Sequence, residues 1–298
     1  MKWLIVGFLF LIPVPTSACE FQARLGKNTN PVPAQWAISA ARKHSLCGTL
    51  ISTRTQHNGK HDSLHKLGAR DTIILVPNDI SVSRPPSVEI IYWFHGCGGF
   101  SQRSFQTRLI PQWSRILRET SHRPIIVVSE MPWSTNTRTR CGRQSKVWNK
   151  KNQFFLYTQE IETLISHHLR RDVQFKRVIM GHSAGGSAIA SAAVIGGLCK
   201  AMPQAVIFSD AVYGNWFGRS WQGCLRQYKK KHDARIIVLN VPGGKPWRAF
   251  RKWSKRSRRD ALKVESPRLR GKWRHALVGD NALLFYYGYF PDFTYRSL

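Results

Sequence analysis

From Asp71 onward the chain alternates short apolar runs with longer stretches of helical periodicity. D-T-I-I-L-V-P at Asp71–Pro77 predicts a strand, and V-E-I-I-Y-W-F at 88–94 predicts a buried one. Further apolar runs at 125–129, 177–180, 205–208 and 235–239 are each closed by polar residues or glycine. Helix-length segments lie between several of them, clearest at 153–169 and 184–195. Strands that alternate with helices pair in parallel and are covered on both faces. The expected fold class is therefore α/β, with a mostly parallel central sheet and its ligand site beyond the carboxyl ends of the strands. Residues 19–69 predict loop, with one helical stretch at 34–44, and no internal repeat is visible.

The first residues carry a different pattern. Lys2 precedes an apolar run at 3–12, and Pro13-Val14-Pro15-Thr16-Ser17-Ala18 follows as a small-residue exit. That is the layout of a secretory signal peptide, with an apolar run too short to span a bilayer. Cleavage after Ala18 leaves a mature chain of 19–298, a length that fits one α/β domain in a secreted or periplasmic protein. Cys19 would then be first; its lipid modification is a minor alternative, because Thr16 stands where a lipobox prefers a leucine-like residue. No later apolar run is long enough for a membrane span. An even six cysteines, all in the mature part, favour disulfides in an exported chain. Sequential pairing is the simplest arrangement, and no C-x-x-C spacing points to a metal.

Charge narrows the partners. The chain has 46 Lys and Arg against 16 Asp and Glu, a formal +30, which favours anionic surfaces and polymers. The segment 245–274 concentrates this: 13 Lys and Arg, two acids (Asp260 and Glu265), and Trp247, Trp253 and Trp273 interleaved. It reads as a basic excursion on the domain, suited to an anionic lipid surface or envelope polymer, or simply solvated. Nucleic acid is disfavoured by export and by the lack of a recognition module.

Two glycine motifs carry chemistry. Lys176 to Met180 is a strand that runs into Gly181-His182-Ser183-Ala184-Gly185-Gly186 and a small-residue helix. G-x-S-x-G in that setting lifts a serine above the sheet on a tight strand-to-helix turn. The helix then aims free N–H groups at the oxyanion formed on attack. Upstream, His95-Gly96-Cys97-Gly98-Gly99 follows directly on the apolar strand ending at Phe94, and such a turn supplies backbone N–H donors. The expected oxyanion donors are the N–H groups of Cys97 and Ala184.

On these residues, with Ile74-Leu75-Val76-Pro77, the chain resembles the α/β-hydrolase superfamily, and more narrowly secreted esterases of the polyhydroxybutyrate-depolymerase and feruloyl-esterase type. The resemblance covers about 70–210. It implies an α/β-hydrolase fold and ester hydrolysis through an acyl-enzyme, without metal or organic cofactor. Peptidase or amidase chemistry on the same residues, or a non-catalytic polyanion binder on this fold, are the rival readings.

In that class the order along the chain is Ser, acid, His. Of the 11 histidines only His232 and His275 follow Ser183, and His232 precedes a strand. His275 is the expected base. The strand ending at Leu239 runs into Asn240-Val241-Pro242 with no carboxylate, a departure from the esterase pattern. The strand before it ends in Ser209-Asp210, so Asp210 is the expected acid, with Asp260 and Glu265 as alternatives and helix capping as a purely structural role for Asp210. Trp133, Trp148, Trp216 and Trp221 fall in loops after strands, where they would stack on a substrate ring or pack at the rim. The expected substrate is an ester, acidic or surface-bound; its acyl group, and the oligomeric state, stay open.

Overall fold

The computed structural model describes residues 21–25, 31–55, 71–80, 87–97, 102–131, 148, 150–267, 269 and 274–289 of the 298. Among the described residues eight strands form one sheet: β1 (Phe21–Leu25), β2 (Gly48–Arg54), β3 (Asp71–Pro77), β4 (Ser87–Phe94), β5 (Ile125–Ser129), β6 (Gln174–His182), β7 (Ala205–Ser209) and β8 (Arg235–Leu239). Their spatial order is β1-β2-β3-β5-β4-β6-β7-β8. β3 pairs antiparallel with β2 and β5, and every other pairing is parallel. β3 therefore runs against the other seven.

The described residues also form α-helical segments around the sheet: α1 (Pro31–Lys43), α2 (Gln102–Ser104), α3 (Ile110–Glu119), α4 (Gln153–Leu169), α5 (Gly185–Ser191), α6 (Trp216–Ser220), α7 (Arg226–Lys231), α8 (Lys245–Arg256), α9 (Arg258–Ala261) and α10 (His275–Tyr286). A π-helical turn continues α5 through Gly196. Strand pleating divides the core in two. Tyr92 and Phe94 of β4 face α4, α5 and Trp148, while Ile91 and Trp93 face the layer of α1, α3 and α10. Both faces are covered, as the two-sided apolar runs require.

The run 19–69 departs from its expected loop character, since it contributes β1 and β2. β1 is buried only at Phe21, and its F-Q-A-R-L carries little apolar signal; parallel pairing with β2 makes it a strand. Cys199 and Cys224 form a disulfide that ties the turn after α5 to the helical turn before α7. It agrees with sequential pairing; Cys47 and Cys97 are disulfide-bonded too. The other two expected pairs include Cys19 and Cys141, which lie outside the described residues, as do the signal-peptide stretch, Trp133 and Trp273. Among the described residues no helix is long and apolar enough to cross a membrane.

Candidate active site

Ser183 stands on the turn between β6 and α5, at φ 54°. A non-glycine residue there is strained by about 1–3 kcal/mol, a cost that surrounding contacts must hold in place. Ser183 N–H donates to the Ser209 carbonyl at 3.1 Å, and Gly186 N–H donates back to the Ser183 carbonyl at 3.1 Å. The flanking glycine permits the close approach: a Cβ on Gly185 would lie 2.1 Å from the Phe94 carbonyl oxygen. So the turn is wedged against the end of β4, where the His95-Gly96-Cys97 segment begins. Among the described residues the N–H of Ala184 makes no backbone hydrogen bond.

That segment is fixed by His95, which is fully buried. Its Nε2 accepts from Met131 N–H at 3.1 Å, so the ring proton is on Nδ1, which donates to the Gly96 carbonyl at 2.7 Å. A Cβ on Gly96 would come within 2.9 Å of the Ser183 Cβ. The turn and the serine therefore share one wall of a cavity of about 220 Å³, which Cys97, Arg108, His275 and Asp280 also line.

Asp210 follows β7, also with positive φ (44°), and its N–H donates to the Leu239 carbonyl at 2.6 Å. Its side chain is 3% exposed, so its charge needs partners. Oδ2 meets His275 Nδ1 at 2.5 Å, and Oδ1 accepts Val241 N–H at 3.0 Å. The loop after β8 has no carboxylate of its own; it grips the one presented by β7. The other two candidate acids are engaged elsewhere. Asp260 pairs with Arg226 at 3.0 Å and accepts from Trp221 Nε1 at 3.1 Å, and Glu265 takes a two-pronged contact from Arg235 at 2.9 and 2.8 Å. His232 stacks on Tyr228 beyond the end of α7, ahead of β8.

Side chains outside the expected set hold the first turn of α10, where His275 begins. His182 lies under His275 and is 5% exposed, and burial, then the neighbouring His275, push its pKa down to about 3. The neutral ring donates from Nε2 to the His275 carbonyl at 3.2 Å. Ser209 Oγ donates to the Val278 carbonyl at 3.0 Å, and Gln112 Nε2 to the carbonyls of Gly279 (3.2 Å) and Asp280. Tyr213 meets the His275 ring edge-on at 6.3 Å. Burial and then the Asp210 charge raise its pKa, which keeps the phenol neutral. The x of G-x-S-x-G was the one sequence signal for His182; nothing local marks Tyr213 or Gln112.

Two of the four tryptophans are core residues rather than loop residues at an open face. Trp148 is fully buried beside Phe94 and Phe154, and Trp221 is 2% exposed against Phe217 and Trp253, so neither face is open to a substrate. Trp216 is half-buried and edge-on to Tyr213 at 5.6 Å, which leaves it at the rim.

The class that sheet and elbow define is the α/β-hydrolase fold. The S-formylglutathione hydrolase of Staphylococcus aureus matches this chain with a TM-score of 0.50 at 10% identity, over 82% of this chain and 98% of its own. A fluorophosphonate-binding serine hydrolase of Staphylococcus aureus is similar at TM-score 0.49 and 11% identity, over 81% and 98%. A ferulic acid esterase is similar at TM-score 0.47 and 14% identity, over 80% and 95%. At these identities the likeness is one of fold. No protein-family description and no curated protein sequence matches the chain.

Proposed function

We propose that the chain is an exported serine hydrolase acting on carboxylic esters, with Ser183 as nucleophile, His275 as base and Asp210 as acid. One observation carries the reading: the His275–Asp210 contact of 2.5 Å stands beside the cavity that holds a strained elbow serine. An ionised carboxylate only accepts, so the Asp210 contact places the imidazole proton on Nδ1 and leaves the Nε2 lone pair for the serine proton. Ser183 Oγ then attacks the ester carbonyl, and the tetrahedral oxyanion is held by the N–H groups of Cys97 and Ala184. Collapse gives the alcohol, which leaves with the proton from His275, and an acyl-enzyme. Water, deprotonated by the same imidazole, releases the acid and restores Ser183. Esters are favoured over amides because this machinery handles the better leaving group more readily.

Export is supported by the signal-peptide layout at 1–18 and by the Cys199–Cys224 disulfide. The excess of Lys and Arg supports an acidic or surface-held substrate. A fluorophosphonate probe tests the chemistry: it labels the wild type and not Ser183→Ala. A folded wild-type protein that takes no label overturns the reading, and faster turnover of an amide than of its matched ester moves it to an amidase.

A further inference from the structure

Past the end of β8 a second cleft, of about 710 Å³, opens between the Asn240–Pro242 segment, α8 and α9. Its apolar lining comes from Pro242, Trp247, Phe250, Leu262 and Leu269. Leu262 is 73% exposed, a large apolar side chain left open to water. Arg251, Lys255, Arg258 and Arg259 line the same cleft and are all exposed. Arg251 lies over the Trp247 ring at 4.7 Å from its centre.

Among the described residues no carboxylate lines this cleft. The nearby acids face other cations, Asp260 pairing with Arg226 and Glu265 with Arg235. So among the described residues these four cations have no carboxylate partner, and their mutual repulsion goes uncompensated. The wall adds one more unmet group. Asn240 is 6% exposed, and among the described residues neither atom of its amide has a hydrogen-bond partner.

A polyanion would need the exposed charges alone, and an apolar ligand would need the recess alone. The combination fits one molecule that supplies both, and the volume lies in the range of small-molecule sites. We propose that this cleft binds an anionic amphiphile: an aliphatic or aromatic body in the recess, with a phosphate or carboxylate head between the arginines. This goes beyond the ester-hydrolase reading and does not depend on Ser183 reacting.

Calorimetric titration of the full chain carrying Ser183→Ala, which cannot turn over a bound ester, tests it. The probes are dodecyl phosphate below its micelle concentration, dodecyl maltoside, inorganic phosphate and a long-chain polyphosphate. Dodecyl phosphate should bind at least about tenfold more tightly than either dodecyl maltoside or inorganic phosphate, because each of those lacks one half of the ligand. Arg258→Gln/Arg259→Gln, and separately Leu262→Ser, should each weaken it by about fivefold or more without a change in Tm, since all three side chains are exposed. Equal binding of dodecyl phosphate and either control overturns the proposal, as does an affinity untouched by both variants. Polyphosphate binding lost in the arginine variant, with no dodecyl phosphate binding, would make the face a polyanion groove instead.

Discussion

The imidazole of His182 donates a hydrogen bond to the backbone carbonyl of His275 at 3.2 Å, with the two rings 4.6 Å apart. The residue just before the elbow serine thereby fixes the height of the helix turn that carries the proposed base. Gly279 on the next turn of α10 packs so tightly on the His182 ring that a Cβ there would lie 2.6 Å away.

Burial gives His182 a pH signature. Its folded pKa, about 3, lies below the ordinary 6.5, so the unfolded chain binds the extra proton between those values. Its contribution to stability is complete above pH 6.5 and is lost as pH falls toward 3, at up to about 1.4 kcal/mol per pH unit. Chemical denaturation from pH 7 to 4 should show a steeper fall in the wild type than in His182→Phe. Equal slopes would mean that the ring takes up its proton in the folded state.

Removal of any one of the three proposed catalytic side chains should cost on the order of 10⁴-fold in kcat/KM on an activated ester. The effects should not add: Ser183→Ala/His275→Ala should be no slower than the worse single variant by more than a few-fold. Multiplying losses in steady-state kinetics would show that the residues act independently.

Two glycines near the serine should fail differently. Gly185→Ala drives a Cβ to 2.1 Å from the Phe94 carbonyl, backbone against backbone, and should cost about 3 kcal/mol or more of stability. Gly96→Ala meets the Ser183 Cβ at 2.9 Å and the His182 Nδ1 at 3.1 Å, so it distorts the site more than the core. Its Tm should fall by less than that of Gly185→Ala, while its activity falls by about tenfold or more. Thermal melts and kinetics on the pair separate the two outcomes.

Below the sheet, Glu162 is 9% exposed and receives Arg177 through two bonds of 2.6 and 2.7 Å, with Tyr92 donating at 3.1 Å. Glu162→Gln leaves the half-buried guanidinium without its counter-charge and should lower stability by about 2–4 kcal/mol. It lies far from the elbow along β6, so kcat on an ester should stay within a factor of about two. Urea denaturation beside an ester assay checks both statements.

Much of the architecture is written locally. Two-sided apolar runs such as 125–129 and 205–209 have no alternative to burial between helix layers, so the sequence by itself determines a mostly parallel α/β sheet. The elbow at Ser183 is equally local, because strand, glycines and small-residue helix are consecutive. Other features depend on contacts between distant segments, which no periodicity records. β1 exists as a strand through its pairing with β2, and Trp148 is core because Phe94 and Phe154 enclose it. The partners of Asp210 come from residues 31 and 65 positions away, and the hydrogen bond from His182 to His275 spans 93. The tertiary structure alone decided those pairings, because a buried charge or imidazole takes whichever donor or acceptor the packed backbone brings within about 3 Å.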